Sequence, residues 1–83
     1  MKAVAVEKAA RQALKKMPRP TAIRIVANIE RYAAEPASLS NQVKSLVGDH
    51  RKRLRVGDWR VLFVEDRTTI TVLDIRSRGS AYK

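Results

Sequence analysis

The run Arg51 to Val64, RKRLRVGDWRVLFV, leaves this chain few ways to fold. At the two-residue period of a strand it is two alternating segments joined by Gly57-Asp58, and a Gly-containing pair between such segments marks a tight β-hairpin. With Gly57 and Asp58 as the loop, Val56 opposes Trp59, Arg55 opposes Arg60, Leu54 opposes Val61 and Arg53 opposes Leu62. Leu54, Val56, Trp59, Val61 and Phe63 then share one face, and Arg51, Arg53, Arg55 and Arg60 share the other. Like charges directly opposite one another destabilise a strand pair. Four arginines gathered on one face therefore point to an anion that sits among them.

The rest of the chain supplies elements to cover the apolar face. Residues 1 to 6, MKAVAV, suit an edge strand and could equally begin the next helix. From Glu7 the period lengthens, and Ala10, Ala13, Leu14 and Met17 fall on one stripe of an amphipathic helix. Pro18 and Pro20 end it and open a second helix from about Thr21 to Ala34, because proline suits a first turn but not a helix interior. Its stripe is Ala22, Ile25, Val26, Ile29 and Ala33, with Ile23 and Tyr32 at the margin. The short link predicts an antiparallel helical hairpin. Residues 37 to 50 lack a sustained period and read as an ordered loop that brings Val43, Leu46 and Val47 to the core, with a turn at Gly48-Asp49. After the hairpin, a polar turn from Glu65 to Thr68 leads to a third strand from about Thr69 to Ser77. Ile70 and Val72 are assigned to one of its faces and Leu73 and Ile75 to the other.

These elements sum to an α+β domain over residues 1–83: an N-terminal strand, a helical hairpin and an antiparallel three-stranded meander, in the order β-α-α-β-β-β. No repeat or interdomain linker interrupts it. The face left bare by the helices is where a functional surface is expected.

Charge narrows the partner. The chain carries a net +10 on 83 residues, and residues 51 to 60 alone hold five Lys or Arg against one Asp. A patch of that density attracts polyanions or an acidic protein segment. Arg76 and Arg78 from the third strand, with Tyr82 and Lys83 beyond it, join the hairpin arginines if that strand lies beside the second hairpin strand. Arginine forks hold phosphates by charge-assisted bonds, and an interleaved aromatic offers a base a stacking surface. The absence of cysteine excludes disulfides and thiolate metal sites, and one histidine, His50, cannot build a histidine metal site. No signal peptide or membrane-spanning run is present, so a cytoplasmic protein with no cofactor and no membrane partner is expected. No Ser-His-Asp spacing, paired carboxylates or Gly-rich phosphate loop supports hydrolysis of those kinds. Trp59 reads as a core or rim anchor.

At these residues the chain resembles the RelE branch of the RelE/ParE toxin superfamily. The segments ALKKMPRPTAIRIVANIERYAAEP, VKSLVGDHRKRLRVGDWRVLFVED and VLDIRSRGSAYK carry the resemblance over nearly the whole chain, and RLRVGDWRVLF is its most specific part. The resemblance implies the toxin of a type II toxin–antitoxin system, a metal-independent endoribonuclease that cleaves mRNA in the ribosomal A site by attack of a 2′-hydroxyl on the adjacent phosphate. It implies a cognate acidic antitoxin that neutralises the toxin and forms the oligomer, and contacts to ribosomal RNA. By the same resemblance Arg51, Arg53, Arg60, Arg76 and Tyr82 are the catalytic set; the basic surface around them makes Lys52, Arg55, Arg78 and Lys83 the expected RNA-binding residues. Where many relatives carry a lysine or histidine in a Gly-His-Arg run, this chain has Arg76-Ser77-Arg78. Arginine holds its proton in proteins, so the general base is unassigned, with Tyr82, Lys52 and His50 the candidates in falling order. The alternatives are a ParE-like inhibitor of DNA gyrase and a catalytically degenerate antitoxin-binding protein.

Overall fold

A computed structural model of the chain describes residues 1–46, 48 and 50–77. The chain runs β1 (Ala3–Val6), α1 (Lys8–Lys16), α2 (Arg19–Ala34), a 3-10 segment (Pro36–Gln42), β2 (Val43–Ser45), β3 (Lys52–Val56), β4 (Trp59–Glu65) and β5 (Thr69–Ser77). The five strands form one sheet in the order β1-β5-β4-β3-β2, with β1 parallel to β5 and the remaining neighbours antiparallel. The architecture is α+β and the expected meander is β3-β4-β5. Two strands flank it. The region read as a loop supplies β2, three residues long and paired to β3 from Val43 opposite Leu54 to Ser45 opposite Lys52.

The hairpin has the register that its turn dictates. Val56 opposes Trp59, Arg55 opposes Arg60, Leu54 opposes Val61 and Arg53 opposes Leu62. Gly57 sits at φ +58°, a left-handed conformation that glycine adopts without the steric cost a Cβ imposes. The Arg24 guanidinium lies over it, so that a Cβ at Gly57 would meet Nη1 at 3.4 Å.

The two helices are set by their own punctuation. α1 begins after Glu7, whose carbonyl accepts the Arg11 amide at 3.0 Å. α2 begins at Arg19, two residues before the expected start, because Pro20 fits within the first turn, where amide donors have no intrahelical acceptor. Its buried stripe is Ile25, Ile29, Tyr32 and Ala33. Relative to the expected stripe it is rotated: Tyr32 moves from the margin to the interior, while Val26 is 38% and Ile23 60% exposed. The rotation places the Tyr32 ring edge-on to Phe63, with centroids 5.2 Å apart.

α1 packs on β5, and α2 contacts β1 and β3. Ala10 and Met17 together with the α2 stripe close over Leu54, Val56, Val61, Phe63, Ile70, Val72 and Ile75, the apolar face of the sheet. Trp59 and Val43 pack against this core from the rim.

β5 departs from its expected pattern in one informative way. Phe63 opposes Val72 and Leu62 opposes Asp74, so Leu73 is an extra residue without a partner on β4. Such a bulge shifts the two-residue alternation by one position. Ile75 therefore joins Ile70 and Val72 in the core, at 3% exposure, and is not on the opposite face with Leu73. The same shift turns Asp74 and Arg76 outward, opposite Leu62 and Arg60.

At one end of the core face lies a polar cluster. Glu65 Oε1 accepts hydrogen bonds from Tyr32 Oη and Lys52 Nζ, each at 2.6 Å, and Oε2 accepts one from Lys2 Nζ at 2.8 Å. Burial pushes the Glu65 carboxyl up, but these three donors outweigh it and hold the group down at about 2. Burial, followed by the hydrogen bond to Glu65 and the charge of its carboxylate, raises the Tyr32 phenol. The cluster ties β1, α2, β3 and β4 together where the apolar contacts run out.

Candidate nucleic-acid interface

The face of the sheet turned away from the helices carries two cross-strand rows. One runs Lys44, Arg53, Leu62, Asp74 from β2 to β5, and the other runs Arg55, Arg60, Arg76 from β3 to β5. Three arginines directly opposite one another in the second row repel, so the arrangement costs stability unless an anion screens it. Between and beside these rows is a pocket of about 280 Å³ lined by Leu46, Arg51, Arg53, Arg60, Leu62, Asp74 and Arg76.

Each side chain reaches the pocket for a local reason. Arg53 and Arg60 belong to the strand parity opposite the core residues Leu54 and Val61. Arg51 immediately precedes β3, and its carbonyl accepts the Leu46 amide at 3.1 Å, closing the loop after β2 against the hairpin. Arg76 arrives only because the Leu73 bulge turns it outward. Its Nε donates to Asp74 Oδ2 at 2.7 Å, while Asp74 Oδ1 accepts the Ile75 amide at 2.8 Å. Asp74 thus acts as a bracket that holds one edge of the Arg76 guanidinium and leaves its terminal nitrogens on a side chain that is 59% exposed. Arg60 is braced differently: Nη1 donates to the carbonyls of Trp59 at 3.0 Å and Gly57 at 3.2 Å.

Of the residues expected in the catalytic set, Arg51, Arg53, Arg60 and Arg76 come together in one pocket. Tyr82 lies outside the described residues, as do Arg78 and Lys83 of the RNA-binding set. Arg55 stands beside the pocket in a hollow with Asn41, Gln42, Lys44, Arg53 and Arg60. Lys52 is a correction to the expected RNA-binding set. One residue out of phase with Arg51 and Arg53, it points to the helix-covered face and is bound to Glu65. The same bond holds its ammonium against Glu65, on the face away from the pocket. His50 is exposed and does not line the pocket.

Three lining residues escaped the sequence reading. Leu46, expected in the core, lies on the arginine side. Leu62 gives the pocket an apolar floor, a position already implied by the hairpin parity. Asp74 was concealed by the bulge, since without it the residue falls on the core side. Among the described residues no group of three or more His, Cys, Asp or Glu is placed to hold a metal ion, and no helix is long and apolar enough to cross a membrane.

Comparison with known proteins places this geometry in a family. The sequence model for the ParE toxin of the type II toxin–antitoxin system parDE matches residues 4–82. No curated protein sequence matches the chain. Among solved structures, the archaeal RelE–RelB complex from Pyrococcus horikoshii OT3 contains a chain with a TM-score of 0.79 at 25% identity, covering 95% of this chain and 97% of that one. The RelB–RelE antitoxin–toxin complex from Methanococcus jannaschii gives 0.76 at 25% identity, over 95% of each chain. The RelBE2 toxin–antitoxin complex from Mycobacterium tuberculosis gives 0.65 at 26% identity, over 93% of this chain and 98% of that one. The helix-backed sheet is thus a shared fold, and the chain belongs to the ParE toxin family of type II toxin–antitoxin systems, in the RelE branch of the RelE/ParE superfamily.

Proposed function

We propose that this toxin is a ribosome-dependent mRNA endoribonuclease. The observation that carries the reading is the convergence of Arg51, Arg53, Arg60 and Arg76 on one pocket of the bare sheet face. In the proposed reaction a 2′-hydroxyl attacks the adjacent phosphate, a pentavalent dianion develops, and the 5′-oxygen leaves. Charge grows on the non-bridging oxygens, where fixed guanidinium donors stabilise the transition state more than the ground state. Arg60 and Arg76, adjacent on β4 and β5 and braced by backbone carbonyls and by Asp74 respectively, are the proposed principal donors. Arg53 of β3 and Arg51, immediately before that strand, complete the cradle. Asp74 is a positioning residue, because its bond to Arg76 Nε sets the direction of the fork. Arginine keeps its proton, so the base that activates the 2′-hydroxyl is another group, and Tyr82 is the proposed one. The proposed partners are the mRNA in the ribosomal A site, the ribosomal RNA around it, and an acidic antitoxin that blocks the basic face.

Primer extension on programmed ribosomes tests the reading. Cleavage within A-site codons that vanishes in Arg60→Ala is the expected result. The family-model match favours a second reading, inhibition of DNA gyrase. Intact message together with loss of gyrase supercoiling activity would establish that reading in place of the first.

A further inference from the structure

We infer that the cleft between α2 and the β3–β4 turn is a second phosphate site, which grips the RNA backbone beside the segment held in the sheet-face pocket. The inference rests on the RNA reading above and adds residues from a helix that the reading does not use.

The cleft has a volume of about 660 Å³ and is lined on one side by Arg24, Asn28 and Arg31 of α2 and on the other by Arg55 and Arg60 of the hairpin. Four guanidinium groups and two carboxamides, those of Asn28 and Gln42, face a space with Asp58 as its single acidic lining residue. Ion pairs among the described residues join Lys2 and Lys52 to Glu65 and Arg76 to Asp74, and none uses Arg24, Arg31 or Arg55. The Arg24 guanidinium lies over Gly57, where it has no side chain beneath it because the turn requires glycine. From this position the planar guanidinium can offer two parallel N–H donors to a phosphate in the cleft.

Continuity connects this cleft to the pocket. The small hollow on the sheet face shares Arg53 and Arg60 with the pocket and Gln42, Arg55 and Arg60 with the cleft. The three form one basic track from Arg76 across the hairpin to Arg31, as a single strand of several phosphates requires. An acidic helix is a poorer occupant. Such a partner also buries an apolar stripe, yet Leu39 and Val56 are the only apolar side chains in this cleft, and the exposed apolar residues Ile23 and Val26 lie in a different groove with Leu14.

The test measures binding of 5′-labelled single-stranded RNA by fluorescence anisotropy across a salt series, comparing oligomers of about 12 and about 4 nucleotides. The purified full chain is compared with Arg24→Ala/Arg31→Ala, and with Lys15→Ala/Lys16→Ala, which removes the same charge from α1. The expected result is about tenfold weaker binding of the longer oligomer by the α2 variant, with a salt slope shallower by about 1.4, two contacts at about 0.7 each for a single strand. The shorter oligomer and the α1 variant show no comparable change. Equal behaviour of the two variants toward the longer oligomer would overturn the inference. So would an α2 variant that binds RNA normally but loses affinity for its antitoxin. Ribosomal cleavage by the unmodified chain, followed on the same preparations, tests the parent reading separately. Message left intact overturns that reading, whereas cleavage that persists with no difference between the two anisotropy variants overturns the second site alone.

Discussion

The two faces of the sheet are built from the same strands and treat charge in opposite ways. On the helix-covered face the one carboxylate of the polar cluster, Glu65, meets Lys2, Lys52 and the Tyr32 hydroxyl at 2.6–2.8 Å. Its valences are filled from within the fold. On the bare face, Arg51, Arg53, Arg60 and Arg76 line a pocket in which Asp74 is the one carboxylate, and Arg55 adds a further charge beside it. Like charges outnumber the carboxylate on that side, and a bound anion would relieve their repulsion. Stability and binding are thereby assigned to alternate residues of β3, β4 and β5, and a one-residue change of phase along a strand moves a side chain from one task to the other. Lys52 and Arg53 are neighbours with opposite assignments for this reason.

The sharpest way to break the comparison is to cut each face at its centre. Phe63 is 2% exposed and packs edge-on to Tyr32, so Phe63→Ala is expected to cost about 3–5 kcal/mol in chemical denaturation. Arg60→Ala on the opposite face of the same strand is expected to change stability by less than about 1 kcal/mol, since the lost bonds to Trp59 and Gly57 are offset by relief from Arg55. The same variant is expected to slow cleavage by about 10²–10³-fold in the ribosome assay. A strongly unfolded Arg60→Ala protein would show that the faces are not separable.

Acid titration sharpens the account of the covered face. The Glu65 carboxyl is held below its ordinary value of 4.5, at about 2. A depressed carboxylate contributes its stability fully above the unfolded value and loses it as pH falls through the folded one. Stability from this cluster is therefore expected to be intact above about pH 5 and to decline toward pH 2, by on the order of 2 kcal/mol after allowance for the partly exposed lysines. In Glu65→Gln the melting temperature at neutral pH falls and its decline below pH 5 is flattened. An unchanged acid profile would place the source of acid sensitivity elsewhere.

The smallest effect is expected at Asp74. Asp74→Asn keeps an acceptor for the Ile75 amide but loses the charge that fixes Arg76. About tenfold lower kcat is expected, with stability unchanged within about 0.5 kcal/mol, in keeping with the loss of a partly exposed ion pair. Recovery in Asp74→Glu would indicate positioning of the guanidinium, and equal losses in kcat and in RNA affinity would instead indicate a role in binding alone.

The hairpin was legible because its signal is local. Turn chemistry at Gly57-Asp58 and two-residue parity fix the register from Arg53 opposite Leu62 to Val56 opposite Trp59, and with it the separation of four arginines from the core residues. Both helices were legible from their prolines and their apolar spacing, although the α2 stripe rotated toward Tyr32. Helix periodicity leaves such a choice to tertiary contact, and Phe63 together with Glu65 supplied it. β2 was not legible: three residues of Val43-Lys44-Ser45 carry no pattern, and their pairing exists only because β3 offers an open edge.

By itself, then, the sequence determined that a basic hairpin face would stand opposite an apolar one, since alternation is a property of consecutive residues. Which further residues join that face was decided by the tertiary structure. The Leu73 bulge is created by pairing between β4 and β5, and it alone turns Asp74 and Arg76 outward and Ile75 inward. The approach of α2 to the turn, which sets Arg24 over Gly57 and Arg31 across from Arg55, depends on how a whole helix packs over residues more than twenty positions away. Neither arrangement has a short-range signature, because both arise from contacts between segments that are distant in the chain.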